Sequence, residues 1–445
     1  MTRARLGAGY ARLWSASVIS NLGDGVAMVA WPWLASAVTR DPVLLSLTVV
    51  AGRIPWLVFS LPAGVITDRF DRRRLMVWMD VARFVVVALV AWAVAAGGDV
   101  LADPVLVGDD AFVDPPNQGL WLALLYGSAL AIGFAEVLRD NAAQTIMPRL
   151  VESDLLEKAN GRLWGAEMVA NSFAGPPLGG WLIAVTLALP FVTDASTFLL
   201  AAILVALIPG TFAPTGGDGV TERPSFWEEL RAGVRWLWGH RLLRTLAVIL
   251  GIMNATIMLS FATLVLFVQE VLVLDAARFG VLLTAGAAGG VLGSFAASRV
   301  SKALGSGRSL GIVLVGSAIT LGITGLTSTW GVVWAMQLVF AFLGVLWNVI
   351  TVSLRQEIIP DDLLGRVNSV YRFFAWGMMP IGSLLGGVIV AATEPWAGRE
   401  WALRSPFLVA SAGFLVVTAF AAPRLTTARI EGARRAATRR TSDQG

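Results

Sequence analysis

Apolar residues run along this chain in blocks of about twenty, cut by short polar stretches that carry most of the charge. Residues 44–63, LLSLTVVAGRIPWLVFSLPA, hold one charge, and the next eleven, GVITDRFDRRR, hold six. An α-helix rises 1.5 Å per residue, so a block of ~20 residues matches a hydrocarbon core of ~30 Å. Counting blocks broken at charges, Pro and Gly predicts twelve membrane-spanning helices. They lie near 12–38, 43–67, 75–97, 119–146, 160–185, 188–209, 243–270, 276–300, 309–328, 330–356, 366–392 and 404–423. The blocks are too long and unbroken for barrel strands, which need only ~9–11 residues. The first block lacks a small-residue cleavage site, so it reads as a retained helix and not a signal peptide.

Composition agrees. Hydrophobic residues make up 56% of the chain and charged ones 14%, with a mean hydropathy of +0.72; soluble domains carry about a quarter charged residues. The expectation is an all-α integral membrane protein with twelve helices in two six-helix halves. Cys is absent and His240 is the single histidine, which leaves no disulfide, no thiolate site and no histidine cluster for zinc. No metal and no cofactor are expected. The sequence has no GxxxxGK[ST] phosphate loop, and one histidine cannot supply a serine or metal triad beside a second. An enzyme is therefore not expected.

Basic residues fall on one set of connections: Arg3, Arg5, Arg12, Arg69, Arg72 to Arg74, Arg149, Lys158, Arg162, Arg223, Arg231, Arg235, Arg299, Lys302, Arg308, Arg366 and the tail after Arg424. The opposite set holds little beyond Arg40, Arg278, Arg399 and Arg404, and its long loop at 97–119 has acids but no base. Short loops rich in Lys and Arg stay cytoplasmic, so both termini are expected inside a plasma membrane. The net charge of +4 then reflects topology. The tail is expected to meet anionic lipid, with no nucleic acid as partner.

A polar break at 210–242 separates the halves, 1–209 and 243–424, and the basic tail is 425–445. Within the break, Trp227, Leu230, Val234 and Leu237 share one helical face, which suits a helix lying along the membrane surface, with His240 at its solvated end. An internal repeat supports the division. QTIMPRLVESDLLEKAN (144–160) and QEIIPDDLLGRVN (356–368) both carry QxIxP and then DLLxxxN. Each is followed by a Gly pair, Gly179 with Gly180 and Gly386 with Gly387. Repeats at corresponding spans imply duplicated halves, so a monomer could suffice.

The turn GVITDRFDRRR between spans two and three resembles the loop signature of the major facilitator superfamily, roughly GxxxDRxGRR. Gly64 matches its close-packing glycine, Asp68 its acid, Arg69 its base, and Arg72 and Arg73 its closing pair; Asp71 stands where the pattern has Gly. The second half keeps a degenerate counterpart, GSFAASRV, with Gly293 and Arg299 but Ser298 for the acid. Such a turn can act as a cytoplasmic latch, with Asp68 accepting hydrogen bonds from Arg72 and from a helix N-terminus. The alternative, that the arginines only set topology, leaves Gly64 and Asp68 without a role. In span five, Gly175, Pro176, Gly179 and Gly180 of NSFAGPPLGGWL resemble the GPxxGG element of proton-coupled antiporters in that superfamily. Pro removes a backbone hydrogen bond and kinks the helix, while small residues admit a close neighbour. With RDNAAQTIMPRLV and LLEKANGRLWGAE, the chain is similar to the branch containing macrolide-type drug exporters and an enterobactin exporter.

Charges at membrane depth are costly and mark functional candidates. Asp24 and Arg53 lie at depths about 4 Å apart, which permits an ion pair across the first two helices. Glu136, Arg139 and Asp140 share a face of span four, and Asp80 and Arg83 a face of span three. Asp24 leads as the proton-coupling acid and Glu136 follows. Glu167 is expected near the inner interface and Asp194 near the outer, both in anchoring or packing roles. Trp14, Trp78, Trp121, Trp181, Trp330 and Trp401 suit interfacial belts, and Trp31, Trp33 and Trp56 lie deeper, either as lipid-facing packing or as an aromatic wall for a drug. The resemblance implies a proton-coupled antiporter that exports a small amphipathic compound by alternating access. Siderophore or lipid export, or a non-transporting sensor on the same fold, are the alternatives.

Overall fold

The computed structural model describes residues 6–67, 69–97, 100–101, 112–212 and 226–442. Among them the chain forms sixteen α-helical segments and no strand. In order these are α1 (Ala8–Val38), α2 (Pro42–Thr67), α3 (Arg72–Gly97), α4 (Gln118–Leu150), α5 (Leu156–Met168), α6 (Gly175–Val185), α7 (Leu189–Ala206) and α8 (Phe226–Gly239). Then follow α9 (Arg241–Phe261), α10 (Leu264–Leu266), α11 (Ala276–Leu304), α12 (Ser306–Leu326), α13 (Trp330–Ile358), α14 (Asp361–Ala397), α15 (Arg399–Ala421) and α16 (Thr427–Ser442). Ten of them (α2, α3, α4, α7, α9 and α11 to α15) are long and apolar enough to cross a membrane. The two remaining expected spans coincide with α1, diluted by Ser17, Ser20, Asn21 and Asp24, and with the α5–α6 run, which a π-turn at Val169–Ala174 divides.

Contacts sort the chain into two compact units, one of Met1–Gly216 with Val265–Thr284, the other of Gly217–Leu264 with Ala285–Gly445. In the first unit α1 is the hub, packing on α2, α4, α5, α6 and α7. It can do so because its buried face is mostly small: Ala16, Ser17, Ser20, Gly23 and Gly25 let neighbouring backbones come close. At the end that carries the N-terminus, Tyr10, Leu13, Met76, Ile146, Val205 and Ile208 close an apolar core.

In the second unit α9 packs on α14 and α15, and α12 on α13 and α15. The repeat glycines do the same work in both units. Gly175 and Gly179 seat α6 on Gly25 and Val26 of α1, and Gly382 and Gly386 seat α14 on Ala255 and Leu259 of α9. Two tyrosines mirror one another as well. Tyr10 of α1 donates to the Ala159 carbonyl of α5 (2.9 Å), and Tyr371 of α14 donates to the Leu243 carbonyl of α9.

The linker helix α8 forms as expected, with Leu237 buried, and packs on α14 through Trp238 against Phe374. The side chains of Trp227 and Leu230, on its expected apolar face, lie outside the described residues. His240 caps α9 by accepting from the Leu243 N–H (3.4 Å), a contact compatible with the solvated or lipid-contacting role expected of it. The basic tail is helical and folded against the second unit. It forms α16, which buries Ile430 and ties Arg434 to Glu357 of α13 (2.6 Å).

Candidate functional site

Asp24, Arg83, Asp80, Arg139 and Asp140 of the first unit form one connected chain of ion pairs. Arg83 of α3 donates through Nη2 to Asp24 Oδ1 of α1 and stands 3.9 Å from Asp80 Oδ1, one turn back on its own helix. Arg139 of α4 grips the same Asp80 oxygen through Nε (3.2 Å) and reaches Asp140 at 3.6 Å. Arg83 is 2% exposed and Asp80 0%, so the centre is closed, while Asp24 at 28% opens one end. The Arg83 guanidinium also lies 3.8 Å from the Phe198 ring centroid of α7, a cation–π contact that holds it flat. A buried ion pair of this kind costs desolvation of both partners, and bracketing Asp80 with two arginines offsets that cost.

The Asp24–Arg53 pair suggested by depth is not the one that forms. Asp24 turns to Arg83 of α3, while Arg53 lies on α2, which packs on α4. Depth along two helices sets height but not azimuth, which is why the partner differs. Asp194, expected near the outer interface, lies against Gly23 at mid-height of α1; a Cβ on Gly23 would sit 2.5 Å from its Oδ1. Glu167 of α5 faces Ser17 of α1.

The GPPLGG element wraps this site. A Cβ on Gly175 would lie 2.5 Å from the Gly25 Cα, and one on Gly179 2.6 Å from the Val26 carbonyl oxygen, so α6 presses on the turn of α1 that bears Asp24. The neighbouring face of α6 meets α11: Gly180 abuts the Ala276 carbonyl and Gly280 abuts the Pro176 carbonyl. Pro176 and Pro177 lack N–H groups, and the backbone before them answers with the π-turn at Val169–Ala174 where the sequence suggested a simple kink.

Asp68 lies outside the described residues, and a Cβ on Gly64 would meet nothing within 4 Å, so Gly64 is not a close-packing position. Its counterpart Gly293 is one, since a Cβ there would stand 2.8 Å from the Cβ of Val345. Arg69 is exposed. Asp71, the departure from the pattern, caps α3 by accepting from the Arg74 N–H (3.0 Å) and also accepts from the Phe212 N–H (2.8 Å). Arg72 donates its own N–H to the Phe212 carbonyl (3.4 Å), and Arg73 donates to the Ile208 carbonyl just beyond α7 (2.6 Å). Arg12 takes Leu207 in the same way (2.8 Å). Cations on the last carbonyls of α7 satisfy groups the helix leaves bare and complement its dipole. Burial works to raise the Asp71 carboxyl, but the Arg74 and Phe212 N–H groups and the Arg73 charge outweigh it and hold it below the usual carboxylate value.

Sequence reading missed a second polar cluster at the opposite end of α1. Arg40 donates to Gln269 Oε1 (2.8 Å) and pairs with Glu270 (3.1 Å), while Gln269 donates to Ser36 (2.9 Å). The π-turn Phe267–Val271 aims both acceptors at α1, and no local pattern announces a contact across more than two hundred residues. Trp33, read as either lipid-facing packing or an aromatic wall, is buried and stacks on Phe279 at 6.2 Å, whereas Trp78 and Trp181 are exposed.

With a family model matching nearly its whole length, the chain is a membrane transporter of the major facilitator superfamily and not an enzyme. Residues 7–439 match the family model described as transmembrane secretion effector, and the chain belongs to that family. It is 27% identical over 429 residues to the multidrug efflux pump Tap of Mycolicibacterium fortuitum, covering 92% of this chain and 94% of that one. It is 23% identical to the enterobactin exporter EntS of Citrobacter koseri, covering 86% of each. Among solved structures it is similar to a bacterial homologue of the lysosomal transporter Spinster in an inward-facing, unoccupied conformation. That match has a TM-score of 0.68 and 14% identity, over 94% of this chain and 96% of the other. A bacterial homologue of the iron transporter ferroportin, inward-facing, matches with a TM-score of 0.67 and 15% identity, over 92% and 98%. These two likenesses show the fold.

Proposed function

We propose that the chain is a twelve-span secondary transporter that exports a small amphipathic compound from the cytoplasm by alternating access, in exchange for protons. The observation that carries this reading is the ion-pair chain from Asp24 through Arg83, Asp80 and Arg139 to Asp140, kept inside apolar helices where charge without a task is costly. Full-length similarity to a multidrug efflux pump supports export of drug-like cargo over the siderophore alternative, since that relative is matched over 94% of its length. Asp24 is the first proton carrier in this reading, because it joins the buried arginines and is itself partly exposed. Glu136, in the field of Arg83 and Arg53, is the second. Both termini are cytoplasmic in this reading, Asp68 serves the latch at the cytoplasmic face, and the duplicated halves work as a monomer.

The test is proton movement in inverted membrane vesicles with an acidic interior, on adding macrolides, lipophilic cations and siderophores, with wild type beside Asp24→Asn. Compound-triggered proton release that the substitution abolishes is the expected result. Silence toward every compound, from folded protein, would overturn the reading.

A further inference from the structure

Asp194 is the buried acid that the ion-pair chain leaves out. It lies on α7, is 2% exposed, and its Oδ1 has no hydrogen-bond partner. The elements packed on α7 are α1, α3 and α6. The charged groups they turn toward Asp194 are Asp24 from α1 and Arg83 from α3; α6 has no titratable residue. Arg83 is already committed to Asp24, yet it stacks on Phe198, which is one helical turn from Asp194 on the same face of α7. Arg83 therefore holds Asp24 and borders Asp194 across Phe198, while Asp80, 3.9 Å from it, is also held by Arg139. An ionised carboxylate with no partner at this burial is the costliest arrangement available, and one bound proton removes that cost.

We propose that Asp24 and Asp194 share one proton and one guanidinium, Asp194 being protonated while Arg83 holds Asp24, and Asp24 being protonated when Arg83 turns to Asp194. The count balances, because each exchange moves one proton between the two carboxyls and leaves one ionised acid on Arg83. Asp24 is the member from which the proton reaches water, since Asp194 is closed off. The proposal rests on the proton-antiport reading and assigns it a second residue. The close approach that makes the exchange possible is supplied by Gly23, whose missing Cβ leaves room for Asp194 and Thr197 directly beside Asp24.

The experiment is infrared spectroscopy of the purified full chain in lipid nanodiscs at neutral pH, with no transported compound present. Asp194→Asn should remove one protonated-carboxyl band that wild type shows. Asp24→Asn should remove the same band, because Asp80 keeps Arg139, Arg83 is released from Asp24 to neutralise Asp194, and Asp194 gives up its proton. If Asp194→Asn misfolds, Asp194→Glu is read instead, with the band displaced and not lost, and with the same loss on adding Asp24→Asn. A wild type without any band assignable to Asp194 overturns the proposal. So does a band that survives Asp24→Asn, which would mark Asp194 as a neutral packing acid. Neither outcome touches the vesicle assay, so failure of the exchange and failure of antiport are told apart.

Discussion

The two halves are built to one plan and filled with opposite chemistry. Gly175 of α6 presses on Gly25 in the first, and Gly382 of α14 presses on Ala255 in the second. The residue just before that contact is Asp24 in one half and Asn254 in the other. Asp24 enters an ion-pair chain, whereas Asn254 makes a single neutral hydrogen bond from Nδ2 to the Ala375 carbonyl (3.0 Å). Among the described residues of the second unit, Arg404 is the one buried charge, and it sits at a helix end, donating to Gly325 and Thr327 carbonyls and pairing with Glu400 (2.8 Å). The two units thus share the packing glycines and differ in their electrostatics. Packing needs the same small residues wherever two helices meet closely, whereas buried charge is concentrated in one unit.

The sharpest way to break this comparison is to remove charge from one half and polarity from the other at the matched depth. Arg83→Gln strands Asp80 with one arginine and Asp24 with none, and should cost about 3–5 kcal/mol by thermal unfolding in detergent. Asn254→Leu removes one neutral hydrogen bond and should cost only about 1 kcal/mol in the same assay. Equal losses would show that the halves are not electrostatically distinct. The glycines should behave alike instead. Gly175→Val and Gly382→Val each drive a side chain into backbone of the facing helix, and each should cost about 1–3 kcal/mol. Only Gly175→Val should also disturb the site, by displacing the turn of α1 that carries Asp24; an intact vesicle response in that variant would detach the glycine element from the chemistry.

The smallest expected effect belongs to the Asp71 clasp. Its folded carboxyl lies below the usual value, so its contribution is complete above the unfolded pKa of ~3.9 and is lost as pH falls through the lower folded one. Asp71→Ala should cost about 1 kcal/mol at neutral pH, the usual worth of a helix N-cap, and less once the folded carboxyl is protonated. Unfolding midpoints of the two proteins measured across that range should converge toward acid; a constant gap would mean that charge is not what the clasp uses.

Much of this was legible from the chain. The apolar blocks placed the long helices, and QxIxP with DLLxxxN marked the same helix-to-helix joints in both halves. Asp24, Asp80, Arg83, Arg139 and Asp140 stood out because charge inside an apolar block has few innocent explanations. The pairing was not legible. Arg53 matched Asp24 in height and lost it to Arg83, because which faces of α1, α2 and α3 meet is settled by the packing of several helices at once. Asp194 read as an interfacial acid because it is near the start of its block, whereas α7 lies along α1 at Gly23 and carries it inward.

Sequence alone determined what is local or additive: helix lengths, the expected membrane setting, the duplicated plan and the presence of buried charge. Hydropathy over twenty residues is a sum, and it survives ignorance of neighbours. Tertiary structure decided what depends on azimuth and on contacts far along the chain: that Arg83 holds Asp24, that Asp71 and Arg73 close on the residues after α7, and that Arg40 meets Glu270. An ion pair forms over about 4 Å, so a rotation of one helix by a fraction of a turn makes it or breaks it, and no property of either residue alone fixes that rotation.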